Sequence, residues 1–463
     1  MKKETKVSII IIVVLVILLG GLVTFAIVQS NSNSKENSSS QTDNPPEMPS
    51  NGNSQDGSTS RPEKPSENGG GPGGQNGSTS IETNGATTIT DTQNLSDVTY
   101  ESSEDTQNAL LVEDGGNVTV TNATITKTGD SSGDNSDFYG TNAAVLVGNN
   151  GTLTMSDSKI TTNGSHANAV FAYGTGTLNI KNSSINTSSN NSGGIMVTGG
   201  GTLNAENLTV TTEGNSAAAI RSDRGGGTLT VNYGTYTSNG TGSPAIYSTA
   251  DITVNNSTLI STKSEGAIVE GKNSITLNNV TLTDTNTTLN GNSETYKNIF
   301  LYQSMSGDAD EGTATFTAKD STITTNKGDT IFVTNTKATI NLTNNKIINN
   351  DGDFLRIQAG KWGNSGSNGG TVTLNMTNQS VSGNIIVDDI STLDINMTEG
   401  SYFEGTINGD NTAKSITLKI DSSSKIKLTG DSYITSIDTT VTDYSNIDFN
   451  GYTLYVNGTA IKY

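Results

Sequence analysis

The chain has 463 residues, carries 45 acidic against 25 basic side chains for a net charge of −20, and contains no cysteine. A surface this acidic repels nucleic acid and anionic membranes, and it would meet an anionic polysaccharide only through a bridging divalent cation. Disulfides and thiolate metal sites are excluded. The single histidine, His166, argues against zinc and reads as exposed in an Asn/Gly/Ser turn. With 52 glycines and only 5% aromatic residues, the composition is too polar for a layered α/β domain. It suits a thin core with many exposed turns.

At the N-terminus, Val7 to Val28 is 22 residues without a charge, preceded by Lys2, Lys3 and Lys6. Roughly 20 apolar residues span a bilayer as a helix, and the lysines place residues 1–6 in the cytoplasm. A cleaved signal peptide is the rival reading, but its apolar region is usually ~7–15 residues. The expectation is a single-pass anchor over 7–28 that exports the rest of the chain, with secretion if the segment is cleaved. Residues 29–80 hold six of the seven prolines and one large apolar side chain, Met48. Such a segment cannot bury enough surface to fold, so a disordered linker is expected.

From about Ile81 the chain repeats itself. Gly-Thr-Leu-Thr-Met-Ser-Asp-Ser-Lys-Ile from Gly151 recurs as Gly-Thr-Leu-Asn-Ile-Lys-Asn-Ser-Ser-Ile from Gly176, with further copies at Gly201 and Gly227. The first apolar position of the phrase falls at Val118, Leu153, Leu178, Leu203, Leu229, Ile252, Ile275, Phe316, Ile340, Leu374, Ile395 and Leu418. The spacing is mostly 23–26 residues, lengthened to 35, 41 and 34 in three places. Leu153 and Met155 alternate with Thr154, which is strand periodicity. A third apolar residue follows at Ile160, and a separate short strand, Ala-Val-Leu-Val from Ala144, precedes the phrase. Three short strands per ~23 residues make the coil of a parallel β-helix. About twelve coils at ~4.8 Å each give a rod near 60 Å long.

A column of Asn and Asp supports this: Asn122, Asp157, Asn182, Asn207, Asn256, Asn279, Asp320, Asn344 and Asn378 stand at the bend between second and third strands, with Tyr233 breaking the row. Their side chains bond local backbone groups and tolerate left-handed geometry. These repeats resemble the pectate-lyase-like superfamily of right-handed β-helices. They are similar in particular to bacterial surface adhesin-like repeats and clostridial β-helix carbohydrate-binding domains. The resemblance covers about residues 81–430 and implies an all-β, right-handed parallel β-helix. Residues 431–463 read as a capping segment over the last open edge.

On the first strand the outward series reads Leu111, Leu146, Phe171, Met196, Arg221, Tyr247, Val269, Phe300, Phe332, Arg356 and Ile386. Loops enlarge beside it at 129–142, 302–311 and 358–370, the last holding the only tryptophan, Trp362. Exposed apolar stripes mark interaction sites. The stripe and loops therefore suggest a groove that stacks on sugar rings of an extended polysaccharide, or another cell-surface ligand. The competing reading folds the loops over the stripe as a satellite core.

For lyase chemistry the available bases are Arg221, Arg224, Arg356 and Lys361. Arg221 and Arg356 lie about five coils, roughly 24 Å, apart. Asp223 is the only acid near Arg221 in sequence. The expectation is a non-enzymatic binder or adhesin, with a polysaccharide lyase or glycoside hydrolase as the alternative. No cofactor is required. Asp130, Asp134 and Asp137 crowd one loop, and Asp308, Asp310 and Glu311 another, in the oxygen-rich manner that suits Ca²⁺, although plain solvated turns are the expectation.

Overall fold

A computed structural model describes residues 81–289 and 295–461. The expected anchor, the linker and the Lys2–Lys6 flank lie outside the described residues. Among the described residues no helix is long and apolar enough to cross a membrane.

The described chain is an all-β parallel β-helix whose coils each hold up to three strands. First strands stack into one sheet of twelve, from Gly85–Ile89 to Ile385–Val387. Most second and third strands join into a second sheet, because strand pairing runs through the bend in two coils. There, Gly201–Thr212 and Gly227–Ser238 run as continuous strands. The last third strands, from Ser380–Ser382 to Ile447–Asp448, form a separate sheet of four. Every repeat anchor pairs with the next as the spacing predicts, from Val118 with Leu153 to Ile395 with Leu418. All twelve anchors are at most 2% exposed. They form the apolar stack that each coil adds to its neighbour, burying Leu, Ile, Val and one Phe along the rod axis.

The expected coil number was too low. Gln93 pairs with Val118 ahead of the first anchor, and Leu418 pairs with Ile437 beyond the last. Gln93 escapes an apolar search because it is polar. Parallel winding also continues past Gly430, through Ser432–Ile434 against Leu454–Val456. It closes on an antiparallel hairpin between Leu454–Val456 and Thr459–Ile461. That hairpin, rather than the whole of 431–463, is where the parallel pattern stops.

At the bend, the Asn/Asp column and Tyr233 all have φ between 47° and 61°. Asn and Asp hold this left-handed geometry at low cost because their side chains bond locally. Coil-to-coil bonds run along the column: Asn207 Nδ2 donates to Asn182 Oδ1 at 2.9 Å, Asn279 to Asn256 at 2.8 Å, and Asn344 to Asp320 at 2.6 Å. Tyr233 is followed by Gly234 at φ 104°, where a Cβ would run into the Leu208 carbonyl oxygen. Only glycine lets these two coils approach.

Candidate functional site

The three long spacings are insertions that border the first-strand face. One carries the helix α1, Asp134–Tyr139, the one α-helix among the described residues. It lies over the N-terminal part of the stripe. Gly140, which ends it at φ 73°, approaches the Phe171 ring so closely that a Cβ would lie 2.7 Å from Cγ. Leu111, Leu146, Phe171 and Met196 are consequently at most 1% exposed and form a satellite core with Ala143. The stripe here is covered, not an open groove.

Further along, Tyr247, Ile268, Phe300, Tyr302 and Phe332 form a second cluster, with half-buried Trp362 packed on it. The outward residue of this coil is Ile268, which pairs with Tyr247 and Phe300. Val269, expected there, points into the main core. A one-residue slip exchanges the two faces of a strand. Phe300 stacks on Tyr302 with centroids 4.5 Å apart, and Tyr302 meets Trp362 at 5.7 Å. Lys297 closes the other side, its ammonium 4.5 Å from the Phe300 centroid and 3.1 Å from buried Glu265. Arg356, at the end of the row, is tied to Asp329 at 2.7 Å and Asp353 at 2.6 Å. It is an ion-pair anchor in the coil next to Phe332, with which it pairs across the sheet.

Between the two clusters opens a cavity of about 230 Å³. Phe138 of α1, Arg221, Tyr247, Tyr302 and Trp362 line it, together with three carboxylates, Asp223, Glu270 and Asp308. Met305, 65% exposed, stands at its mouth. Of the sequence-predicted residues the cavity brings together Arg221, Tyr247 and Trp362. It leaves Leu111, Leu146, Phe171 and Met196 under α1, and Phe300 and Phe332 behind Tyr302 and Lys297.

The polar groups here are held by fixed partners. Arg221 directs Nε and Nη2 to Asp223 Oδ2 at 3.2 and 2.7 Å, and Nη1 to the Ser216 carbonyl at 3.4 Å. Burial pushes the Asp223 carboxyl up, to about 6, against the opposing pull of Arg221. Glu270 accepts hydrogen bonds from the Tyr247, Tyr302 and Ser304 hydroxyls. Burial raises its pKa, an effect that the three hydroxyl donors oppose. Tyr247 and Tyr302 are raised well above the usual phenol range, first by burial and then by Glu270. Arg224 spans the two insertions, donating to Asp308 at 2.6 Å and Asp134 at 2.9 Å with its Cζ 3.8 Å above the Phe138 ring.

The three aspartates of the 129–142 loop turn to different partners. Asp130 accepts the Ser165 N–H at 2.7 Å, Asp134 pairs with Arg224, and Asp137 lies 2.6 Å from His166 Nδ1. Among the described residues no group of three His, Cys, Asp or Glu side chains converges in a manner that could hold a metal ion. His166, expected in solvent, has a side chain only 19% exposed because α1 folds down onto it.

Glu270 was absent from the expected site, and Tyr302 and Asp308 were expected only as parts of the bordering 302–311 loop. A second outward column, two residues after the stripe, carries Tyr173, Thr198, Asp223, Glu270 and Tyr302. The register pairs Tyr173 with Thr198 and Glu270 with Tyr302. Placing Val269 in the stripe puts Gly271, not Glu270, in that column. Asp308 lies 84 residues from its partner Arg224, and no local pattern connects the two.

No family model, curated protein or solved structure matches the chain.

Proposed function

We propose that this chain is a surface-displayed, non-enzymatic carbohydrate-binding or adhesin-like protein, tethered by Val7–Val28, whose β-helix takes a sugar in the Tyr247–Tyr302–Trp362 cavity. The right-handed winding and the pectate-lyase-like resemblance belong to the same proposal. The observation that carries it is the pairing of aromatic faces with fixed carboxylate acceptors around one small cavity. Aromatic rings stack on the apolar faces of sugars, and carboxylates accept their hydroxyl protons. At about 230 Å³ the cavity lies below the ~300–1,000 Å³ of drug-sized sites, so it admits a ring or a chain end rather than an extended polymer.

A glycoside hydrolase is the second reading, because Asp223, Glu270 and Asp308 share the cavity. Against it, Asp223 and Asp308 are engaged by Arg221 and Arg224, and Glu270 by three hydroxyls. These carboxylates are fixed as acceptors rather than free to move protons to and from a glycosidic bond. The test is titration of the full chain with an oligosaccharide panel, with and without calcium, while reducing ends are counted. Binding without cleavage, weakened about tenfold or more by Trp362→Ala as expected for a stacked aromatic anchor, supports the binder. New reducing ends that vanish in Asp223→Asn and Glu270→Gln would establish the hydrolase instead.

A further inference from the structure

We propose that the cavity recognises an ammonium group, so that the sugar it accepts carries a free amine; the sugar part of this inference rests on the carbohydrate reading above.

The cavity wall holds Asp223, Glu270 and Asp308 against one lining cation, Arg221. Every guanidinium nitrogen of Arg221 already has a protein acceptor, in Asp223 and Ser216. Arg224, behind the wall, is taken up by Asp134, Asp308 and the Phe138 ring. Glu270 differs from the other two acids. Among the described residues it makes no ion pair, and its three partners are neutral hydroxyls. A carboxylate offers about four acceptor positions, so one remains, on the Oε1 that Ser304 alone engages. A buried anion without a countercharge is costly, and a cation entering beside it offsets that cost.

The remaining walls suit the same guest. Tyr247, Tyr302, Trp362 and Phe138 present aromatic surface to the cavity. Aromatic faces carry the negative end of the ring quadrupole and attract ammonium groups within about 6 Å. Tyr302 and Trp362 meet at 47° with centroids 5.7 Å apart, so the two rings are tilted rather than lying flat on each other. A uronate would sit beside the uncompensated Glu270 and be repelled. A neutral sugar would leave Glu270 uncompensated. An N-acetyl group would remove the charge and add bulk to a cavity with room for one ring.

The sole tryptophan of the chain stands in this wall, so intrinsic fluorescence reports the site directly. The experiment titrates the full chain at pH 6 with a glucosamine trisaccharide, its fully N-acetylated counterpart and choline as a permanent cation. The expected result is that the amine trisaccharide binds at least about tenfold tighter than the acetylated one. Glu270→Gln should remove that preference while leaving weak binding of both sugars. Equal or tighter binding of the acetylated sugar by the unaltered protein would overturn the amine inference and leave the carbohydrate reading standing. If neither sugar binds, the carbohydrate reading falls. In that case choline alone decides: quenching of Trp362 upholds the ammonium site, and its absence overturns it. The decisive comparison is made on the unaltered protein, so it stands even if the Glu270 variant fails to fold.

Discussion

Arg224 shows how one side chain can assemble a site from segments far apart in sequence. It holds Asp134 on α1 and Asp308 on the later insertion, and it covers the Phe138 ring. A planar guanidinium does this where a lysine, a single point charge, could not. Arg224→Ala is expected to release both insertions together, speeding amide exchange in 134–139 and 304–311 by about tenfold or more. Exchange-coupled mass spectrometry reads it, and an unchanged 304–311 segment would mean that the loop is held by other contacts. A second buried acid gives a pH prediction. Burial raises Asp284 to about 7 from an ordinary 3.8. A carboxyl that is more basic folded than unfolded holds its proton more tightly in the folded state. Stability is therefore greatest with it protonated and declines as pH rises from about 4 through about 7, by at most ~1.4 kcal/mol for each pH unit crossed. Asp284→Asn should lose less stability between pH 5 and pH 8 than the unaltered chain. Parallel melting curves at the two pH values for both proteins would count against the assignment.

At the level of elements, the strands and bends repeat while the insertions differ, and the site arises where insertions meet the repeat. The short helix α1 has little stability of its own, since isolated helices below ~12–15 residues are marginal in water. Its fixed points are Arg224, the Thr198 hydroxyl donating to the Phe138 carbonyl at 2.5 Å, and the contact of Gly140 with Phe171. Gly140→Ala adds a methyl 2.7 Å from Phe171 Cγ at a φ of 73°. The expected cost is about 1–3 kcal/mol, seen as faster exchange or proteolysis within 129–142 while the β-helix coils stay protected. The anchor positions of the second strand needed only alternation and spacing to be found, because each coil repeats the same inward pattern. The first strand was harder. Its inward and outward residues are both apolar, as in Ala-Ile-Val-Glu from Ala267 to Glu270, where all four are buried. Periodicity carries no parity where both faces are covered. The slip to Val269 follows from this, and it hid Glu270.

Across the whole molecule each coil contacts chiefly its neighbours, so stability accumulates coil by coil. Leu229→Ala, in a fully buried anchor, should cost about 2–5 kcal/mol. The loss should appear as enhanced exchange in the coils bordering 229, with the terminal coils little changed. Uniform destabilisation along the rod would instead indicate one all-or-none unit. The C-terminal end is protected by the antiparallel pair Leu454–Val456 and Thr459–Ile461, which offers no matching parallel edge for another coil.

Composition and spacing by themselves determined that the chain coils as a parallel β-helix, where the second strand lies in the twelve coils with an apolar anchor, and which Asn and Asp residues turn most of their corners. These are local or strictly periodic properties: an apolar residue every second position, a left-handed residue at each bend, a recurrence near 23–26 residues. Only the tertiary structure decided that the insertions fold back over the stripe, that Asp134 and Asp308 share one arginine, and that Trp362 packs on Tyr302. Those contacts join residues up to 90 positions apart through segments that lie outside the repeat. No periodicity encodes them, because they depend on how irregular loops pack on a regular face.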